Sequence, residues 1–221
     1  MTNIRGILFD LDNTLVHREA SIRSYAEVFY RDFGHLLSIG SESIATRLIV
    51  ADSGGHRKKE DMLAQINSWP EWQSPPDMAY IDRHWMWEFP PLAVPMDDLI
   101  FTLDRLVSHG IKLGIITNGS ARAQNGKIMA LHLWRYFSVI LVSESVGLRK
   151  PDTGIFFMAL EKFGLPPAEV CFVGDNPEVD IIGAEQAGFT GVWLSGFHTW
   201  PKNKKKPVFQ IQNLSEILNF I

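Results

Sequence analysis

Two carboxylates stand one residue apart near the start of the chain, in the stretch ILFDLDNTLV that begins at Ile7. Asp10 and Asp12 end an apolar run, where partial burial and their mutual repulsion make both acids harder to ionise. A compensating positive charge is therefore expected beside them. Two acids in one site can divide nucleophilic attack from proton transfer, and they can also help to hold a cation.

The elements that must position these acids are short apolar runs rich in β-branched and aromatic residues. Each run is followed by Gly, Asp, Ser or Thr and is predicted to be a buried strand: IRGILF, IKLGII, SVILV, EVCFVG and TGVWL. Helical patterns lie between the later runs, at 120–133, 152–163 and 178–187. This alternation predicts an α/β fold whose core is a Rossmann-like, doubly wound parallel sheet.

Polar residues follow the predicted strands at the edge where an open parallel sheet binds its ligands. They are Thr117, Asn118 and Gly119 in TNG, Lys150 in GLRKPD, and Asp175, Asn176 and Asp180 in GDNPEVD. With the first two acids, four carboxylates and one lysine sum to a formal charge of −3. A divalent cation would bring this charge to −1, and oxygen ligands that share a site with a phosphate suit Mg²⁺.

One connection is far longer than the fold requires. The first strand ends near Asp10 and the second begins at Ile111, whereas a strand-helix-strand unit needs only about 30 residues. The surplus carries apolar residues at helical spacing and ends in the Pro-rich WEFPPLAVPMDD. We therefore predict a core domain of residues 1–15 and 96–221, with a small α-helical domain of residues 16–95 inserted into it.

In this order, DLDNT, TNG, RKP and GDNPEVD resemble the four motifs of the haloacid dehalogenase (HAD) superfamily, over about two thirds of the chain. The resemblance implies a HAD-like core and a helical cap of the C1 type that determines specificity. It also implies a phosphatase, because dehalogenases of the family lack the second acid of the first motif, which is Asp12 here. The expected reaction is Mg²⁺-dependent hydrolysis of a small phosphomonoester metabolite.

The resemblance also implies a role for each motif residue. Asp10 would be the nucleophile that forms an aspartyl-phosphate, and Asp12 would be the general acid and base. The Thr117 hydroxyl, the backbone amides around Asn118 and Gly119, and the Lys150 ammonium would stabilise the transferring phosphoryl group. Mg²⁺ would be held by an Asp10 oxygen, the Asp12 backbone carbonyl and Asp175, while Asp180 and Asn176 would act through these groups, Asp180 by orienting Lys150 or a metal-bound water.

Composition limits the partners. Of the 221 residues 46% are hydrophobic and 21% charged, and the formal net charge is −4, so no electrostatic reason exists to expect nucleic acid or an anionic membrane as a partner. The single cysteine, Cys171, lies in an apolar run and is expected to be buried and reduced. We expect a cytoplasmic monomer or homodimer.

Several alternatives stay open. A phosphomutase on the same scaffold would return the phosphoryl group to its substrate, a haloacid dehalogenase would release halide, and a receiver-type signalling module would keep its phospho-aspartate for minutes. The aromatic residues Trp69, Trp72, Trp85, Trp87 and Phe89 could stack on a nucleotide base. Packing of a small domain that must build its own core is the favoured interpretation.

Overall fold

The computed structural model describes residues 4–221, and within them six strands form one sheet in which every neighbouring pair is parallel. The strands are β1 (Gly6–Phe9), β2 (Lys112–Thr117), β3 (Val139–Val142), β4 (Val170–Gly174), β5 (Thr190–Leu194) and β6 (Phe209–Ile211). Their order is β3-β2-β1-β4-β5-β6. The predicted Rossmann-like α/β fold is confirmed. The edge strand β6 was not predicted.

The helices follow the chain in two groups. The first group is α1 (Arg18–Phe33), α2 (Ser41–Asp52), α3 (Lys59–Asn67) and α4 (Met78–Glu88). The second group is α5 (Leu99–Ser108), α6 (Ala121–Ala130), α7 (Ser143–Val146), α8 (Thr153–Phe163) and α9 (Gly183–Gln186). A π-helical turn, Pro177–Ile182, directly precedes α9. The second group supplies the crossover connections that a parallel sheet needs.

The chain divides into two units. One contains the described residues up to Val16 together with Pro95–Ile221, and the other is His17–Val94. The predicted boundaries, 16 and 95, differ from these by one residue, and the first three residues of the predicted core range lie outside the described part of the chain. The sheet and the second group of helices belong to the first unit, while α1 to α4 make up the second.

The centre of the sheet is buried because its strands carry apolar side chains on both faces. All four residues of β1 and all five of β4 are buried. On one face the Phe156 ring of α8 meets the Phe172 ring of β4 edge-on, with ring centroids 5.2 Å apart. Cys171 is buried, as predicted, and burial raises the pKa of its thiol to about 12. The buried core therefore holds the ends of these strands in place.

The second unit has an aromatic core of its own. Trp69, Trp72, Trp85 and Phe89 are all buried there, so the packing interpretation is confirmed for four of the five aromatic residues. Trp87 is exposed. Near this core the Tyr25 hydroxyl lies 2.8 Å from Nδ1 of His84, which keeps that polar group paired in an otherwise apolar environment.

The two chain segments that connect the units run side by side. Val16 and Pro95 form an antiparallel bridge. On one side of it the Met96 amide donates to the Leu15 carbonyl at 3.0 Å, and on the other the His17 amide donates to the Val94 carbonyl at 2.8 Å. The insertion therefore leaves and rejoins the first unit at a single point.

The lysines of the loop before β6 are exposed: Lys202, Lys204, Lys205 and Lys206. Among residues 4–221 no helix combines the length and the apolar character needed to cross a membrane.

Candidate active site

The carboxyl end of β1 places Asp10 at the centre of the sheet edge. Phe9 pairs with Ile115 on one side and with Val173 on the other, and the Asp10 amide then donates to the Val173 carbonyl at 2.9 Å. In the order β3-β2-β1-β4-β5-β6, the strands change direction of progression between β1 and β4. Ligands of doubly wound sheets bind at this point, and Asp10 stands at it.

Lys150 brings the predicted motifs into contact. Its ammonium donates to Asp10 Oδ1 at 2.5 Å and to Asp180 Oδ1 at 2.7 Å, and all three side chains are buried. The Asn118 side chain holds the Lys150 backbone from both sides, accepting from its amide and donating to its carbonyl at 2.9 Å each. The compensating positive charge expected beside Asp10 is therefore present. Asn118 acts here through its side chain, whereas its backbone amide was the predicted contact.

The loop after β4 supplies the other two carboxylates. Asp175 directly follows the strand, and the π-helical turn returns Asp180 to the strand end, where its Oδ2 accepts from the Asn176 amide at 3.0 Å. Asn176 starts the turn, because its side-chain oxygen accepts from the Glu178 and Val179 amides. A Cβ built on Gly174 would lie 2.5 Å from the Cβ of Asp180. Glycine is required there for the close approach of that side chain.

Three carboxylates converge at this edge. Asp10, Asp175 and Asp180 each place one oxygen so that the three oxygens lie within 4.8 Å of one another. With Lys150, this cluster carries a formal charge of −2 in a buried place. Hard oxygen donors with surplus negative charge fit a divalent cation such as Mg²⁺. Three of the four carboxylates that were predicted to converge therefore do so, while the Asp12 side chain is not part of this group.

The pKa values of the buried acids and of Lys150 are shifted from their ordinary values. Burial raises the pKa of Asp10 to about 7, although the Lys150 ammonium opposes the shift. Burial also raises the pKa values of Asp175 and Asp180 above their ordinary value. Burial lowers the pKa of Lys150, but the attraction of Asp10 and Asp180 outweighs it and the net direction is upward. Lys150 therefore stays charged, and its single positive charge is shared among the neighbouring carboxylates.

Asp12 lies in the turn that follows β1, beside side chains from α6. Lys127 donates to both of its carboxylate oxygens at 2.7 Å, and Gln124 donates to Oδ2 at 3.1 Å. Gln124 also donates to the Thr117 hydroxyl oxygen at 2.5 Å. Thr117 thus accepts one hydrogen bond and keeps its own O–H proton for another acceptor. Neither Lys127 nor Gln124 was predicted from the sequence.

Gly119 occupies a different environment from the one predicted for it. Its amide donates to the Ser143 hydroxyl at 3.0 Å, and the same hydroxyl donates back to the Gly119 carbonyl at 3.3 Å. Its φ of 149° is one that side chains rarely adopt. In this structure Gly119 therefore shapes the turn after β2 and ties it to α7.

The family of the chain follows from its match to a family model. The family model for haloacid dehalogenase-like hydrolases matches residues 7–194. The chain belongs to this family. The predicted membership and the predicted class of enzyme, a hydrolase of the HAD type, are thereby confirmed.

Relatives of this HAD-like hydrolase are named phosphatases. A glyceraldehyde 3-phosphate phosphatase of Methanopyrus kandleri is 30% identical, over 99% of this chain and 97% of the relative. A phosphoserine phosphatase of Thermus thermophilus is 37% identical, over 49% of this chain and only 44% of the relative.

Solved structures confirm the fold. A Bacillus subtilis HAD-hydrolase bound to magnesium superimposes with a TM-score of 0.77, at 21% identity, covering 99% of this chain and 98% of that one. Both phosphatases and dehalogenases occur among the similar folds, so the fold alone does not separate the two chemistries.

Two further groups of this HAD-like hydrolase contact Asp175. His198 Nδ1, from the loop after β5, lies 2.9 Å from Asp175 Oδ2, and the Trp193 indole donates to the Asp175 carbonyl at 3.0 Å. The contact with Asp175 raises the pKa of His198. Sequence reasoning missed both residues. His198 lies in a loop without a motif, and Trp193 has the sequence context of an ordinary core residue.

The raised pKa of Asp10 predicts how stability depends on pH when no divalent cation is added. Because the folded protein holds a proton on this acid up to about pH 7 and the unfolded chain releases it near 3.8, the native state binds more protons in between. Stability should therefore fall as the pH rises through this window. Urea unfolding in chelator, across about pH 4 to 8, measures the slope.

The matched variant is Asp10→Asn, which has no titrating group at this position. Its stability relative to the wild type should rise steadily through the same window, because only the wild type loses the proton. A stability difference between the two proteins that stays constant with pH would contradict the shifted pKa.

Proposed function

We propose that the chain is a Mg²⁺-dependent phosphatase that hydrolyses a small phosphomonoester through an aspartyl-phosphate on Asp10. One observation carries the proposal: the Lys150 ammonium lies 2.5 Å from an Asp10 carboxylate oxygen, within a buried cluster of three converging acids. A nucleophilic carboxylate beside fixed positive charge is what phosphoryl transfer needs. The phosphatase names of the relatives support the same chemistry.

Asp10 would begin the reaction. Its oxygen attacks phosphorus, a new O–P bond forms, and the bond from phosphorus to the substrate oxygen breaks. Asp12 would give its proton to that leaving oxygen. Afterwards Asp12, now a carboxylate, would take a proton from the water that attacks the aspartyl-phosphate, which releases inorganic phosphate and restores Asp10.

The remaining polar groups would stabilise charge on the phosphoryl oxygens. Asp180 holds the Lys150 ammonium, and the Asn118 side chain holds the Lys150 backbone. The ammonium is therefore positioned before substrate arrives. The Thr117 hydroxyl would donate its proton to a second phosphoryl oxygen. Asp10, Asp175 and the Asp12 backbone carbonyl would hold Mg²⁺, and the ion would supply charge neutralisation for the phosphate.

The other functions fit less well. Asp12, the acid that dehalogenases of the family lack, is present and is held through both oxygens by Lys127, which argues against a dehalogenase. A receiver-type signalling module has no use for a helical insertion as large as His17–Val94. A phosphomutase would use the same residues, and only its products distinguish it.

A panel of phosphomonoesters tests the proposal. The relatives suggest glyceraldehyde 3-phosphate and phosphoserine as its first members. We expect phosphate release with Mg²⁺, with the highest kcat/KM for glyceraldehyde 3-phosphate, because the Methanopyrus kandleri relative that matches almost the whole chain is named for this substrate. Inorganic phosphate is measured under steady-state conditions.

Other products would overturn the assignment. Chloride release from a haloacid without phosphate release would indicate a dehalogenase. An isomeric phosphate ester in place of free phosphate would indicate a mutase. A phosphorylated chain that persists for minutes would indicate a signalling module.

A further inference from the structure

Lys127 is a buried ammonium outside the four motifs. It lies on α6 with 2% of its surface exposed, and both of its 2.7 Å contacts with a carboxylate are made to Asp12. An ammonium is kept in the interior only where its charge is paired and its protons are accepted. The pairing with both oxygens fixes the plane of the Asp12 carboxylate as well as its position.

Gln124 completes a chain of hydrogen bonds between this pair and Thr117. Its amide oxygen accepts from Lys127 at 3.0 Å, while its amide nitrogen lies close to Asp12 Oδ2, the Thr117 hydroxyl and the Asn118 carbonyl. The two protons of this nitrogen are shared among the three acceptors, and the reverse orientation of the amide would place its nitrogen against the Lys127 ammonium and its oxygen against Asp12 Oδ2. Gln124 is 3% exposed and one turn before Lys127, so both project from one face of α6.

We propose that Lys127, with Gln124, is a positioning residue that holds Asp12 in the orientation from which it protonates the leaving group. The inference rests on the proposed phosphatase function. Asp12 lies in the turn after β1, where the next residue, Asn13, has a left-handed φ of 57°. Lys127 and Gln124 orient its carboxylate through direct hydrogen bonds. The rigid helix α6 supplies that orientation from outside the loop.

Leaving groups separate positioning of an acid from general support of the fold. An alkyl phosphate needs its leaving oxygen protonated, whereas 2,4-dinitrophenolate leaves without help. The ratio kcat/KM reports steps up to departure of the leaving group, so it does not include hydrolysis of the aspartyl-phosphate. Loss of an oriented acid therefore lowers kcat/KM for the first substrate and spares the second.

The experiment compares Lys127→Met with the wild type on the best alkyl phosphate of the panel and on 2,4-dinitrophenyl phosphate. We expect kcat/KM to fall about 10-fold to 100-fold for the alkyl ester and by less than about 3-fold for the aryl ester. In the Asp12→Asn background the same substitution should change kcat/KM by less than about 2-fold, because its target is already gone.

Controls separate failure of this inference from failure of the proposed function. Lys112→Met removes another lysine of the same unit, one that donates to the Phe163 carbonyl at 2.7 Å. This control variant should keep the wild-type kcat/KM for both substrates. If Lys127→Met is recovered unfolded, Gln124→Met should show the same dependence on leaving group. Equal losses on both substrates overturn the positioning role. A wild type without phosphatase activity, or Asp12→Asn without leaving-group dependence, overturns the proposed function instead.

Discussion

Replacement of Asp10 by asparagine should abolish turnover, lowering kcat by at least about 1,000-fold, as expected when a covalent nucleophile is lost. The amide has almost the shape of the carboxylate but lacks the nucleophilic oxygen that would form the acyl-phosphate linkage. The fold should persist, because Lys150 keeps its second partner, Asp180, at 2.7 Å. Phosphate release by freshly purified, mass-verified protein measures the effect.

The matched control is Asp97→Asn, an exposed acid of the same unit, which should retain wild-type kcat. Intact-mass spectrometry of quenched reactions adds a direct readout, since the wild type should carry a phosphoryl group that Asp10→Asn lacks. Turnover close to that of the wild type in a verified Asp10→Asn sample would remove the nucleophile assignment and, with it, the proposed mechanism.

Removal of divalent cations should have an effect almost as large. Excess chelator should lower kcat/KM by at least about 100-fold, which corresponds to the several kcal/mol that a metal ion provides to a developing charge. Added Mg²⁺ should restore the activity. The physical reason is that burial, more than the neighbouring acids, raises the pKa values of Asp10, Asp175 and Asp180, so that a bound cation would stabilise their ionised forms.

A binding readout that does not depend on activity accompanies this test. Mg²⁺ should raise the thermal midpoint of the wild type, because a cation that binds only the native state stabilises it. The increase should shrink in Asp175→Asn and persist in Asp97→Asn. Full activity in excess chelator would contradict the assignment of the carboxylate cluster as a cation site.

The sequence predicted the edge of the sheet and most of the residues on it. Buried strands are recognisable as apolar runs, and in a parallel sheet their carboxyl ends meet at one edge. The sequence alone therefore predicts that the side chains of Asp10, Lys150 and Asp175 converge. Polar residues that directly follow a strand can be located by this reasoning, because a parallel sheet brings the carboxyl ends of its strands together.

Residues that reach the site from a helix face or a loop escaped the same reasoning. Lys127 and Gln124 lie on α6 and are buried together with Ile128, at positions where the helical period leads one to expect apolar residues. Polar residues at this spacing were the available signal. His198 depends on the path of a long loop. Strand β6 has three residues and follows a lysine-rich run, so no pattern distinguished it from the loop.

The paired segments around Val16 and Pro95 make the insertion exchangeable. Because the two segments are hydrogen-bonded to each other on both sides of the bridge, joining them by a short turn would leave the ends of the sheet domain where they already are. The entropy of closing such a loop changes only slowly with its length. A helical insert of different length or sequence could therefore be accommodated at this point without changing the path of the sheet domain's own chain.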